Sequence, residues 1–255
     1  MSRPNVLVLL ITLYCLSTFL STSGFATELI PHKASYTAKI KKGISINGAA
    51  VRELKKLDNG EWLYRFDVDS FVADIDESVH FSWVNNKVVP RKYKYKLSPF
   101  LAKNRTNKYV FDWSNKTIKG TYKKKKWLIE DIPDNSFDRL GYQLQMIMDI
   151  YANKPDMYYQ IVRKKTLNQS HFQIIGDEII DTKFGKLNSI LVTKIRAKKK
   201  KRKTHMWFSK DYPVLLLKMT QKEKNGEEYE ITLKSAEIMG KKISFRSKQA
   251  DSASH

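Results

Sequence analysis

The sequence predicts a mainly β protein: a curved antiparallel sheet, forming a half-barrel or open barrel, with one main helix. Three observations lead there. Apolar side chains recur at every second position over most of the chain, turn signals separate those runs, and aromatic residues are abundant, with 5 Trp, 13 Tyr and 12 Phe in 255 residues. A period of two sends alternate side chains to opposite faces of a strand, one to a core and one to water.

Taken in order, Trp62, Tyr64, Phe66 and Val68 alternate with Leu63, Arg65, Asp67 and Asp69. Val79, Phe81 and Trp83 continue the pattern, as do Tyr93, Tyr95 and Leu97 between Lys94 and Lys96, then Tyr109, Phe111 and Trp113, and later Tyr229, Ile231 and Leu233. Turn signals lie between these runs at Asp58-Asn59-Gly60, Asn85-Asn86, Ser98-Pro99, Ser114-Asn115 and Asn225-Gly226. Short strands joined by tight turns make an antiparallel meander, because parallel strands need long crossovers. One segment changes period. After Pro133, the positions Phe137, Leu140, Leu144, Ile147, Met148 and Tyr151 share one helical face, and Asp134-Asn135-Ser136 supply an N-cap. This predicts a helix over Ser136 to Tyr151, with Gly141 in its middle costing about 1 kcal/mol relative to alanine.

The first residues address the chain for export. Arg3 precedes an apolar run from Val6 to Leu20, and small residues end at Gly24-Phe25-Ala26. This is the layout of a secretory signal peptide cleaved after Ala26. The run is shorter than the roughly 20 residues a spanning helix needs. The domain organisation expected is a signal peptide over 1–26, a single β-rich domain over 27–246 and a polar tail over 247–255. Cys15, the only cysteine, leaves with the signal, which argues against a disulfide framework and suits a bacterial periplasm.

Gly176-Asp-Glu-Ile-Ile-Asp-Thr-Lys-Phe-Gly-Lys-Leu, then Val192, a basic loop and Met206-Trp207-Phe208-Ser209-Lys210-Asp211-Tyr212-Pro213-Val214 together resemble a secreted Gram-negative family, domain of unknown function 3108. Tyr36, Gly43, Gly48, Ala50, Val89-Pro90, Tyr93, Tyr95 and Phe111-Asp112-Trp113 extend the resemblance over nearly all of the exported chain. The resemblance implies export and a β-rich fold, and it transfers no catalytic residue. The loop is more basic here than the family pattern requires.

Nothing in the sequence spells out an enzyme. It has no Gly-x-Ser-x-Gly elbow, no His-Glu-x-x-His and no phosphate-binding glycine loop. The histidines fall singly, so neither a metal nor another cofactor is expected. The best acidic group is Asp67, Asp69, Asp74, Asp76 and Glu77. Facing carboxylates there would serve a hydrolase of envelope polysaccharide, and surface or turn duty is the plainer reading.

Basic runs are the stronger clue in a chain of net charge +21. Lys123, Lys124, Lys125 and Lys126 precede Trp127, and Lys198, Lys199, Lys200, Lys201, Arg202 and Lys203 form a hairpin tip between Ile195 and Trp207. These loops are candidate sites for an anionic envelope lipid or glycan, or for an envelope protein, with peripheral contact to the membrane. Nucleic acid is not expected as a partner of an exported chain. Trp62, Trp83, Tyr95, Phe111 and Trp207 make a candidate aromatic face, either ordinary core or the floor of a groove with a lysine rim. The function expected is a non-enzymatic binding or assembly factor of the cell envelope. If Ala26 is the cleavage site, N-terminal sequencing of periplasmic protein will begin at Thr27; recovery of Met1 to Leu20 in a membrane fraction would overturn it.

Overall fold

The structure, a computed structural model of the chain, describes residues 29–42, 44–196 and 202–245. The segment read as a signal peptide, Lys198 to Lys201 and the polar tail lie outside the described residues. A first meander contains β1 (His32–Lys42), β2 (Ile44–Lys56), β3 (Trp62–Ser70), β4 (Ala73–Val84), β5 (Lys87–Pro99), β6 (Arg105–Asp112), β7 (Thr117–Tyr122) and β8 (Lys125–Ile129). A short β9 (Ser136–Phe137) and α1 (Gly141–Tyr151) follow. The second meander contains β10 (Asp156–Arg163), β11 (Thr166–Thr182), β12 (Gly185–Ile195), β13 (Lys203–Ser209), β14 (Leu216–Lys222), β15 (Glu228–Ile238) and β16 (Lys241–Lys242).

β15 returns to pair with β1, so both meanders belong to one sheet of 16 strands among the described residues, from β8 through β1 and β15 to β9. Its outer strands β8 and β9 do not pair, and the sheet stays open. The arms meet through a side chain instead: Asn107 on β6 donates to the Lys164 carbonyl in the β10–β11 turn at 2.9 Å.

The predicted alternation is what fills the concave side. Trp62, Tyr64, Val79, Phe81, Tyr93, Tyr109 and Phe111 are all buried. Tyr93 stacks on Tyr109 at 4.5 Å, and the Trp127 ring lies 5.4 Å from Tyr109. Trp127 also lies over Gly120, where a Cβ would come within 2.4 Å of the ring, so only glycine admits the indole. Burying each aromatic contributes about 1.5–3 kcal/mol.

The helix differs from the prediction. Ser136 and Phe137 are not its first turn: they pair in parallel with Gln160 and Ile161 of β10. The helix opens at Gly141, and its cap comes from Asp138, whose Oδ1 accepts from Leu140 N and Gly141 N, both at 2.8 Å. Gly141 is therefore the first helical residue and not a mid-helix weakness. A Cβ there would sit 2.7 Å from Asp138 Oδ2. Downstream, Gln145 Oε1 accepts from Val88 N at 2.8 Å, and Asp149 accepts from Tyr159 OH at 2.8 Å and from Lys154 Nζ at 2.7 Å.

Strand register separates two ends of the sheet. Lys41 pairs with Glu228, Gly48 with Ser70, and Ala73 with Pro99. The β1–β2, β3–β4, β5–β6, β7–β8, β10–β11, β12–β13 and β14–β15 connections therefore share one end. α1 covers the other, bound to the start of β5 through Gln145 and to the end of β13, where Tyr151 OH donates to the Ser209 carbonyl. One end is plugged, and the other is a mouth.

The cap carries a pH signature. Burial, opposed by the N–H groups of Gly141 and Leu140 and assisted by the charge of Glu77, pushes Asp138 from 3.8 up to about 7. A raised carboxyl keeps its proton in the folded chain where the unfolded chain has released it. Its contribution is fully present below 3.8 and is lost as pH rises through about 7. Asp138→Asn keeps the acceptor for both N–H groups, so its melting temperature will fall less between pH 4 and 8 than that of the parent. Parallel melting profiles would refute a titrating Asp138.

Candidate functional site

The mouth holds a charged hollow of about 910 Å³ among the described residues, between the β10–β11 turn, the facing ends of β12 and β13, and the β14–β15 turn. That volume lies within the range of small-molecule sites. Its lining carries Arg163, Lys194, Arg196, Arg202 and Lys224 against two carboxylates, Glu223 and Glu227. Arg202 is held by Glu223 at 2.6 Å. Lys194 Nζ donates to Ser170 Oγ at 2.6 Å and lies 5.1 Å from the Phe172 ring. Arg196 donates to Thr204 Oγ1 at 3.0 Å and to the Arg202 carbonyl at 3.3 Å. Burial, followed by the charges of Arg202 and Arg163, lowers the pKa of Arg196. An anion placed there would favour its charged form.

Deeper inside, the concave side carries further charges. Arg52, on β2, is 4% exposed; its guanidinium lies 4.8 Å from the Phe66 ring and donates to Tyr64 OH at 3.3 Å. Glu77 accepts from Tyr93 OH and lies 3.7 Å from Arg139 Nε, while the Arg139 guanidinium sits 5.0 Å from the Tyr95 ring. The charge of Glu77 raises the pKa of Arg139, and burial, then Glu77, raises that of Tyr93. Tyr142, at the start of α1, stacks on Phe172 at 5.4 Å.

The structure sorts the residues singled out in the sequence. Trp62 and Phe111 are buried core, Trp83 packs against that core, and Tyr95 lies under Arg139. Trp207 is also packed against the core, but from the other face of the sheet. It alternates with buried Met206 and Phe208, so it faces the opposite side, where its Nε1 donates to Glu178 at 2.8 Å. The five aromatics are not one groove floor.

Lys123 and Lys124 form the two-residue β7–β8 turn at φ 49° and 67°. Left-handed backbone costs a non-glycine residue roughly 1–2 kcal/mol, so these lysines occupy an unfavourable place. Lys125 and Lys126 open β8 opposite Tyr122 and Thr121. In the second basic run, Arg202 lines the cavity and Lys203 starts β13 opposite Lys222. Lys198, Lys199, Lys200 and Lys201 lie outside the described residues.

The acidic group divides between two faces. Asp67 and Asp76 stand opposite each other across β3 and β4, bridged by Arg65 at 3.3 and 3.9 Å, with Lys94 at 3.5 Å from Asp76. Asp74 accepts from Ser70 N at 3.4 Å within a turn, and Asp69 is exposed. Glu77 alone points inward. These residues form no pair of carboxylates across a cleft.

Sequence reading missed Arg163, Lys194, Arg196 and Lys224, which lie outside the two basic runs it singled out. It also missed Arg52 and Glu77 as interior charges, although parity would have found them: Arg52 steps with Ala50 and Leu54, and Glu77 with Val79 and Phe81, all buried.

No curated protein sequence matches the chain significantly. A crystal structure of a β-barrel-like protein of the DUF1849 family from Brucella abortus is 11% identical, over 83% of this chain and 98% of that one, with a TM-score of 0.57. That likeness is one of fold. A crystal structure of a DUF1329 family protein from Desulfovibrio piger is 10% identical over 85% of this chain and 87% of that one, but its TM-score of 0.23 carries no argument. The sequence pattern of the family described as "Protein of unknown function (DUF3108)" matches residues 35–234, most of the chain, which therefore belongs to that family.

Proposed function

We propose that this protein is an exported, non-enzymatic binding factor of the cell envelope, and that its mouth cavity takes an amphiphile with an anionic head, such as a phospholipid or a glycolipid part. The observation that carries this reading is the excess of five cations over two carboxylates around a cavity of about 910 Å³. A site built for a neutral or cationic ligand would not gather Arg163, Arg196 and Arg202 around one hollow. Tyr158, Ile195 and Tyr229 in the same lining suit the apolar part of such a ligand, and the signal peptide read from the sequence supplies the compartment. Arg202, from the second basic run, lines this same cavity, where it adds to the potential that gathers anions.

A hydrolase using Asp67 to Glu77 is the weaker reading, because Asp67 and Asp76 are tied up in surface ion pairs while Glu77 is buried against Tyr93 and Arg139.

Dodecyl phosphate and dodecyl maltoside, titrated below their micelle concentrations, separate head from tail. The phosphate will bind more tightly, and its affinity will fall with salt. Arg163 and Lys224 pair with no carboxylate among the described residues, so Arg163→Gln with Lys224→Gln leaves no partner orphaned. Charge-assisted contacts are worth roughly 1.5–3 kcal/mol, so the double variant will bind dodecyl phosphate about tenfold or more weakly while maltoside binding is unchanged. Equal affinity for the two amphiphiles in the parent would refute the reading.

A further inference from the structure

Two neighbouring turns at the mouth end expose large apolar side chains where turns ordinarily carry polar ones. Phe71, in the β3–β4 turn, is 81% exposed; Phe100 and Leu101, in the β5–β6 turn, are 73% and 91% exposed. Scattered apolar residues on a surface need no explanation, but these three are contiguous. The Phe71 and Phe100 rings stack at 5.8 Å and 25°. Phe100 N donates to the Val72 carbonyl at 3.1 Å, tying one turn to the other. Ser70 Oγ donates to the Ala73 carbonyl at 2.7 Å and accepts from Ala73 N at 3.2 Å, which fixes the first turn. The apolar tip is therefore preorganised in the exposed state, and does not depend on burying itself in the sheet.

Cations surround it. Lys96, Lys103 and Arg105 flank the second turn and are exposed, and Lys123 N donates to the Thr106 carbonyl at 3.2 Å, which sets the Lys123-Lys124 turn beside it. The nearby carboxylates are Asp69, Asp74 and Asp76, of which Asp74 is engaged by Ser70 N and Asp76, opposite Lys96, by Lys94 and Arg65. An apolar tip within a ring of lysine and arginine is complementary to one kind of surface: acyl chains lying just beneath anionic headgroups.

We propose that the paired turns at Phe71 and Phe100-Leu101 insert into the headgroup–acyl boundary of an anionic phospholipid bilayer, while Lys96, Lys103, Arg105, Lys123 and Lys124 hold the phosphates around them. Docking in this way sets the mouth end of the protein on the membrane. The inference stands independently of what the cavity holds.

The test uses protein recovered from cells expressing the full chain and vesicles of phosphatidylcholine with about a third phosphatidylglycerol. The parent will float with these vesicles and much less with pure phosphatidylcholine, and added salt will weaken the association. Phe71→Ser, Phe100→Ser and Leu101→Ser combined will lower the apparent partition coefficient at least tenfold. Because all three side chains are exposed, circular dichroism and dodecyl phosphate binding will stay as in the parent, which separates failure of the tip from failure of the cavity. Phe71→Trp will add emission that shifts to the blue with the anionic vesicles. Should the triple variant float like the parent, or the added tryptophan show no shift in bound protein, the tip does not insert. Failure of the parent to float at all, with or without self-association through this patch, would equally overturn the proposal.

Discussion

Pairing of β1 with β15 is the contact on which the architecture depends. His32 aligns with Ile238 and Lys41 with Glu228, so residues about as far apart in sequence as the described chain allows become neighbours at the middle of the sheet. Each meander closes locally, hairpin by hairpin, and this ladder turns two local sheets into one continuous surface. The entropy of closing so long a loop grows only slowly with its length, but it is spent before the aromatic core rewards it. Tyr36 on β1 faces Leu233 on β15 just past a register shift, and both are buried, so the seam is sealed by packing as well as by backbone bonds. With the seam made, α1 can reach both halves at once.

The concave side that results is not uniformly apolar. Arg52 is buried against aromatic faces and a phenol, and Glu77 and Arg139 compensate one another beside Tyr93. Isolated, such charges cost several kcal/mol each to bury. Here the π faces, the hydroxyls and the opposite charge offset much of that. Asp138 meets the same constraint differently, by keeping its proton. The interior is specified by a small number of polar contacts that an alternative packing of the same aromatics would leave unsatisfied.

How much of this was legible in the sequence follows from what each feature depends on. Strand alternation is local, so Trp62 to Val68 and Tyr93 to Leu97 announced their inward faces, and Asn85-Asn86 announced a turn, which the structure makes with left-handed backbone at both residues. The start of the helix was misread because Ser136-Phe137 satisfies its backbone on β10, a partner twenty-odd residues away that no local pattern reveals. The basic runs drew attention to charge, yet most of the cavity's cations come from elsewhere: Arg163 ends β10, Lys194 and Arg196 lie at the end of β12, and Lys224 sits in the β14–β15 turn. Only the curling of the sheet gathers them. Grouping Trp207 with the other aromatics ignored its parity with Met206 and Phe208. The apolar turns at Phe71 and Phe100 break the polar composition that turns usually show, and that departure was readable but carried no sign of their adjacency.

The division of the sheet into a plugged end and an open one also decides how the molecule can be held. Leu29 and the start of β1 lie at the helix end, and so does Phe245, whose ring contacts Phe184 and Tyr212 in the turns there. Both ends of the described chain thus leave from the face remote from the mouth. A fluorophore or a surface linkage attached at Leu29 or Phe245 would sit on the back of the protein, and molecules immobilised there would present their open ends outward.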